Sequence, residues 1–119
     1  MEYPFIDKEI YQKTREYVLS ERNEFYYSGK KISGIGSPHT LKDRVWPMSV
    51  IMQGLTADNA DEIKQCYKML IDSTDGTGYM HESVNKDDDA LYSRTWFAWA
   101  NSLFADFVLK KADVIFGNK

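Results

Sequence analysis

The spacing of hydrophobic residues predicts four helices separated by two long loops. The first helix is capped by Asp7 and runs to about Ser20. Its inner face would carry Ile10, Thr14, Tyr17 and Val18, which are three or four residues apart. Glycines and a proline then interrupt the pattern between Arg22 and Trp46, where we expect an ordered irregular segment with a short hairpin from about Phe25 to Ile35.

Two helices of the central region are predicted to form a tight pair. Pro47 suits the first turn of the second helix, because backbone N–H groups in that turn have no hydrogen-bond partner within the helix. That helix ends before Asp58, and Asn59 with Glu62 forms a capping box for a third helix that runs to about Ser73. The second helix is expected to bury Val50, Ile51, Met52 and Leu55.

The fourth helix is predicted to begin between Asp89 and Ser93 and to run to about Lys111. Its inner stripe would carry Trp96, Trp99, Leu103, Phe107 and Leu109 or Lys110. The helix is apolar over so wide an arc that four helices cannot cover it, which indicates a partner surface outside this chain. Because helices two and three pack closely, the two long loops should meet at one end of the assembly.

Composition narrows the possible functions. The 119 residues fit one domain, and 43% of them are hydrophobic. A net charge of −3 gives no phosphate-binding surface, so we expect no nucleic-acid partner. No apolar run reaches the ~20 residues that span a bilayer, so we expect no membrane insertion. The single cysteine, Cys66, lies on a helical apolar stripe and is expected to be buried rather than nucleophilic.

The chemistry is concentrated in one short segment. Tyr79-Met80-His81-Glu82-Ser83 sets a carboxylate beside a histidine, and an aromatic-rich segment follows from Trp96 onward. Glycosidase sites combine carboxylates that move protons with flat rings that hold a sugar. Sugar hydrolysis normally uses two carboxylates, and the chain supplies no second, equally well-placed acid.

Five motifs in the same order resemble glycoside hydrolase family 125, the exo-acting α-1,6-mannosidases. They are Gly34-Ile35-Gly36-Ser37-Pro38-His39-Thr40, Arg44-Val45-Trp46-Pro47-Met48-Ser49, Met52-Gln53-Gly54-Leu55-Thr56, Met80-His81-Glu82-Ser83 and Trp96-Phe97-Ala98-Trp99-Ala100-Asn101-Ser102-Leu103-Phe104. The resemblance covers roughly Tyr3 to Lys111 but only the C-terminal part of the family's longer catalytic domain. It implies an all-α fold, a partial (α/α)6 toroid of about two helical hairpins, with residues 1–119 as an incomplete domain.

The resemblance also implies a mechanism. The family inverts anomeric configuration without a metal or other cofactor, and Glu82 matches its general base. The general acid is an aspartate that lies upstream in the family, so the isolated chain is expected to be inactive. The alternative is a non-catalytic helical module that binds a carbohydrate or a protein. Implied partners are α-1,6-linked mannosides, such as N-glycan or mannan fragments, and the missing N-terminal part of the toroid. Self-association through the exposed apolar helix face is also expected for this chain, and its cellular location stays open.

Five further residues are candidate substrate contacts, each with a structural alternative, and Arg94 is a sixth. His81 either contacts the carboxylate or a sugar hydroxyl, or is satisfied within its loop, and His39 either binds sugar or braces backbone amides. Ser37 and Thr40 suit sugar hydroxyls as well as turns. Trp46 either stacks on a sugar or staples the start of the second helix.

Charged and aromatic residues beside the central segment have competing interpretations. Arg94 reaches the pocket or pairs with Asp87, Asp88 and Asp89, and we favour the pairing. Those three aspartates lack the spacing of a calcium loop, so we favour an interaction with a helix dipole over a metal site. The helical stripe favours Trp96 and Trp99 as core residues over a sugar platform.

Overall fold

The structure, a computed structural model, describes residues 8–37, 42–94 and 96–117. Five helices and five short strands follow one another along these residues. In chain order they are α1 (Lys8–Val18), β1 (Tyr26–Tyr27), β2 (Gly34–Ile35), β3 (Arg44–Val45), α2 (Pro47–Thr56), α3 (Ala60–Asp72), β4 (Ser83–Asn85), β5 (Tyr92–Ser93), α4 (Ala98–Lys110) and α5 (Ala112–Ile115).

The predicted pair of central helices is confirmed. Pro47 occupies the first turn of α2. The Asn59 side chain accepts a hydrogen bond from the Glu62 N–H at 2.8 Å and so caps α3. The Glu62 carboxylate accepts a hydrogen bond from Gln53 Nε2 and forms a salt bridge with Arg15, each at 2.9 Å, rather than returning to the cap. This cross-helix contact ties α3 to α2 and α1.

The core lies between α2, α3 and α4. Phe107 of α4 packs directly over Gly54 of α2, and Cys66 of α3 borders the same contact. Burial raises the pKa of the Cys66 thiol to about 12, and the nearby Glu62 carboxylate adds to the shift. The predicted buried thiol is therefore confirmed. The fully buried hydrophobic residues are Ile32, Val45, Val50, Ile51, Cys66, Leu70, Val84, Ala100 and Phe107.

Two small antiparallel sheets join the long loops. β1 and β2 pair through Tyr26 and Ile35, which confirms the predicted hairpin. β3, β4 and β5 form a second sheet in that order. Because Val45 pairs with Val84, the segment before α2 is fixed against the segment that carries Glu82. The two long loops therefore meet as predicted, and the all-α description holds only approximately.

The predicted start of the fourth helix is wrong, and its predicted inner face is confirmed only for Leu103 and Phe107. α4 begins at Ala98, and two of the residues expected in its first turns, Tyr92 and Ser93, form β5. Trp96 and Trp99 are not core residues, because their exposed fractions are 58% and 72%. Ala100 and Phe104 join Leu103 and Phe107 on the face that packs inward, whereas Leu109 is exposed.

The first helix contacts the rest of the fold mainly through one charged side chain. No residue of α1 is buried, and its predicted inner-face residues Ile10 and Tyr17 are exposed. Arg15 donates a hydrogen bond to the Gln53 carbonyl at 2.9 Å and forms a salt bridge with the Glu62 carboxylate at 2.9 Å. The predicted cap, Asp7, lies outside the described residues. Within the described ranges, no helix combines the length and hydrophobicity that crossing a membrane requires.

Candidate active site

Glu82 lies immediately before β4, at the edge of the three-stranded sheet. Its N–H donates to the Ser93 carbonyl at 3.1 Å, so main-chain pairing with β5 fixes the position of the residue. Its side chain is 26% exposed and contacts two groups. Ser93 Oγ donates to Glu82 Oε1 at 3.2 Å, and Arg94 Nε lies 3.5 Å from the same oxygen. A carboxylate with one supported oxygen and partial access to solvent is suited to accepting a proton.

The start of α4 holds the segment that leads to Glu82. Asn101 accepts a hydrogen bond from the Met80 N–H at 3.1 Å and donates one to the Met80 carbonyl at 3.2 Å. The Phe97 N–H reaches that same carbonyl at 3.1 Å. Met80 is buried, and both its N–H and its carbonyl are hydrogen-bonded. The backbone that leads to His81 and Glu82 is therefore held in place.

His81 is part of the support beneath the site. Its ring is only 1% exposed and stacks on Tyr92 with 3.8 Å between the ring centroids. Nδ1 lies 3.0 Å from the Arg94 carbonyl, and Nε2 lies 3.3 Å from the Thr74 carbonyl. Both ring nitrogens thus face main-chain oxygens of this chain. This geometry supports the loop-bracing alternative for His81 over a direct sugar contact.

Arg94 adopts a backbone conformation that is rare for a large side chain. Its φ is +59°, in the left-handed region, and such strain is held only where surrounding contacts enforce it. Here His81 contacts the Arg94 carbonyl, while the guanidinium contacts Glu82 and lies 5.7 Å from the centre of the Phe97 ring. The favoured pairing of Arg94 with the aspartate cluster is therefore wrong, since Arg94 pairs with Glu82.

The three consecutive aspartates are bound within the loop between β4 and β5. Asp87 accepts from the Lys30 N–H at 2.9 Å and from Lys86 Nζ at 2.7 Å, and the hydrogen bond from Lys86 lowers the pKa of Asp87. Asp89 accepts from the Asp75 N–H at 2.7 Å. The aspartates do not precede a helix, so the predicted dipole interaction is wrong. In the described part of the chain, no three metal-ligating side chains lie together.

An open aromatic groove begins at Arg94. It has a volume of about 520 Å³. Its lining residues are Arg94, Trp96, Phe97, Ala98, Trp99 and Ser102. Indole faces, a guanidinium and a hydroxyl together offer stacking and hydrogen-bonding surfaces of the kind that sugars use. Because Arg94 contacts both Glu82 and Phe97, the groove lies next to the carboxylate.

The remaining predicted contacts lie on the other long loop. Ser37 and Trp46 are both half-buried, and the Trp46 N–H donates to the Ile35 carbonyl at 3.1 Å. Trp46 directly precedes Pro47, at the cap position of α2. His39 and Thr40 fall outside the described residues.

Sequence reasoning missed the residues that support Glu82. Ser83 and Ser93 are paired across β4 and β5, and their hydroxyl oxygens are 2.7 Å apart. Asn101 was quoted only as part of a motif. The three aspartates between these serines are a turn signal, but the register that pairs Ser83 with Ser93 is a non-local property.

Comparisons with known proteins agree with this geometry. Residues 1–109 match the family model for metal-independent α-mannosidase of glycoside hydrolase family 125. The meiotically up-regulated gene 157 protein of Schizosaccharomyces pombe is 50% identical over 104 residues. That alignment covers 87% of this chain and 20% of the relative.

A solved structure is also similar. It is a metal-independent α-mannosidase of Streptococcus pneumoniae in a non-productive substrate complex with α-1,6-mannobiose. The identity is 45% and the TM-score is 0.85, over 88% of this chain and 25% of that one. The chain therefore spans about a quarter or less of the relatives it matches. By family model, sequence identity and structure, the chain belongs to glycoside hydrolase family 125, the metal-independent α-mannosidases.

Proposed function

We propose that this chain supplies the general base of an inverting exo-α-1,6-mannosidase, and that Glu82 is that base. The observation that carries the proposal is the setting of the Glu82 carboxylate. It is partly exposed, one of its oxygens is supported by Ser93 and Arg94, and the aromatic groove lies next to it. Because the family consists of α-mannosidases, the reaction to consider is hydrolysis of a mannoside with carboxyl groups as acid and base.

In the proposed reaction a water molecule attacks the anomeric carbon of the terminal mannose. Glu82 accepts one proton of that water as the new carbon–oxygen bond forms. A second carboxyl group protonates the departing glycosidic oxygen on the opposite face of the sugar. The two carboxyl groups of an inverting enzyme are about 6.5–9.5 Å apart, which leaves room for the water between them. We assign the second group to polypeptide beyond this chain, so the isolated chain should not turn over substrate.

The groove supports a mannoside as the substrate. Trp96 and Trp99 offer exposed indole faces, and Ser102 offers a hydroxyl on the same surface. The Streptococcus pneumoniae relative was solved with α-1,6-mannobiose, which makes an α-1,6-linked mannoside of an N-glycan or mannan our proposed ligand class. Arg94, Ser37, His39, Thr40 and Trp46 remain candidate contacts.

The exposed apolar residues of α4 favour a second partner, which is the rest of the catalytic domain. Ala100, Leu103 and Phe107 face the core, while Trp99 and Leu109 are exposed on another side of the same helix. A helix that is apolar on more than one side normally has neighbours on each of them. We propose that this face packs against the remaining polypeptide of the toroid, and that it drives self-association when the chain is alone.

Complementation tests the proposal. The isolated chain is mixed with the part of the Streptococcus pneumoniae mannosidase that it does not cover, and mannose release from α-1,6-mannobiose is followed by ¹H NMR. We expect no release by either part alone and release by the mixture, with β-mannose as the first product because the reaction inverts configuration. Turnover by the isolated chain would contradict the assignment of the acid to other polypeptide. Release of α-mannose first would contradict inversion.

A further inference from the structure

Two serines next to Glu82 form a hydrogen-bonded chain that has no role in the proposed reaction as described above. Ser83 and Ser93 are direct partners in the β4–β5 register, and their Oγ atoms lie 2.7 Å apart. Ser83 is buried, and Ser93 is half-buried. Ser93 Oγ continues to Glu82 Oε1 at 3.2 Å. The order of the chain is therefore Ser83, Ser93, Glu82.

The direction of the hydrogen bonds follows from proton counting. An ionised carboxylate can only accept, and each serine hydroxyl has a single proton to donate. The Ser93 proton points to Glu82, so Ser93 must accept at the other contact and Ser83 must donate to it. Both hydroxyl dipoles thus point toward the carboxylate, and hydrogen bonds aligned in this way strengthen one another.

The contacts distinguish the two oxygens of Glu82. The Ser93 hydroxyl and Arg94 Nε both reach Oε1. Arg94 is itself fixed, since His81 contacts its carbonyl and its guanidinium lies over Phe97. Oε2 has neither of these contacts, so the side of the carboxylate away from the hairpin is the side on which a water can approach.

We infer that Ser93, supported by Ser83, is a positioning residue that holds Oε1 of Glu82 and directs Oε2 to the attacking water. This inference rests on the proposal that Glu82 is the general base. Ser93 transfers no proton in the reaction: the water proton passes to Oε2, and the Ser93 hydroxyl keeps its own.

Kinetics of the chimera in which this chain replaces the matching quarter of the Streptococcus pneumoniae mannosidase test the inference. Ser93→Ala should lower kcat on α-1,6-mannobiose about tenfold, the effect of one lost hydrogen bond, with KM within twofold. Ser93→Thr keeps the hydroxyl and should restore most of kcat. Ser28→Ala is the matched control, because Ser28 also has a serine hydroxyl within 3.5 Å but lies on the other hairpin.

Double substitution tests the chain of serines itself. Because Ser83 acts only through Ser93, Ser83→Ala should cost less than Ser93→Ala, and the pair together should cost no more than Ser93→Ala alone. Additive effects, or an unchanged kcat for Ser93→Ala, would overturn the inference. A kcat loss in Ser93→Ala that Ser93→Thr does not restore would also overturn it, as would a loss explained by a lower unfolding midpoint.

A Glu82→Gln variant of the same chimera separates the two proposals. If Glu82→Gln abolishes turnover while Ser93→Ala leaves it intact, the positioning inference fails and the base assignment stands. If Glu82→Gln retains turnover, the base assignment fails first.

Discussion

Two aromatic residues on one helix have opposite surroundings. Phe107 of α4 is completely buried over Gly54, whereas Trp99, about two turns earlier, is 72% exposed at the edge of the groove. One side of α4 finds its neighbours in α2 and α3 within this chain. Another side of the helix presents the Trp99 indole to the groove. The difference separates residues that stabilise this part of the fold from residues that remain exposed on its surface.

The largest effect should come from removing the buried ring. Phe107→Ala is expected to lower the free energy of unfolding by about 3–5 kcal/mol, through lost burial and a cavity between α2 and α4. Trp99→Ala is the matched control on the same helix and should change it by less than about 0.5 kcal/mol. Urea unfolding followed by circular dichroism measures both. Equal costs for the two variants would remove the distinction between the faces.

The close contact between Gly54 and Phe107 should make alanine destabilising at position 54, contrary to its usual effect in helices. Ala usually stabilises an exposed helix position relative to Gly by about 1 kcal/mol. A Cβ at position 54, however, would lie 2.5 Å from Phe107 Cε1, so Gly54→Ala should destabilise the fold by about 1–3 kcal/mol. Combining Gly54→Ala with Phe107→Leu should recover part of this loss, because leucine is shorter. A stabilised single variant in the same unfolding experiment would show that the helices do not approach so closely.

The buried thiol predicts a smaller, pH-dependent effect on the same core. The pKa of Cys66 is raised from 9.0 to about 12 in the folded state, so the folded state holds its proton where the unfolded state loses it. Stability is therefore complete below pH 9 and falls as the pH rises toward 12, by about 1.4 kcal/mol between pH 8 and pH 10. Cys66→Ala should lower stability below pH 9, where the thiol is protonated in both states, but should lack this slope at higher pH. The same slope in both proteins would contradict a buried thiol as its source.

The starts of α2 and α3 could be predicted from the sequence, because they depend on residues close by in the chain. Pro47 and Asn59 mark the starts of α2 and α3 through their own backbone and side-chain chemistry, and both predictions are confirmed. The stripe on the fourth helix was right for Leu103 and Phe107 and wrong for Trp96 and Trp99, because periodicity shows which residues share a face but not which face this chain covers. Its start failed because residues 92–93 pair with β4, a non-local contact.

The candidate site was predictable only in part, for the same reason. Glu82 stands out because a recognisable motif surrounds it. Its contacts with Ser93 and Arg94 depend on a strand register and on the positive φ of Arg94, and neither is a property of a short motif. His81 had two interpretations in the sequence, and its burial and stacking on Tyr92 support the structural one.

The turnover of the chimera with glutamine at position 82 tests the central claim most directly. Glutamine keeps the shape of the side chain but cannot accept the water proton. We expect Glu82→Gln to lower kcat on α-1,6-mannobiose by at least about 100-fold while mannobiose binding is retained, and Glu24→Gln, at an exposed loop position, to leave kcat unchanged. Retained turnover in Glu82→Gln would contradict the account, because the general base would then be another group.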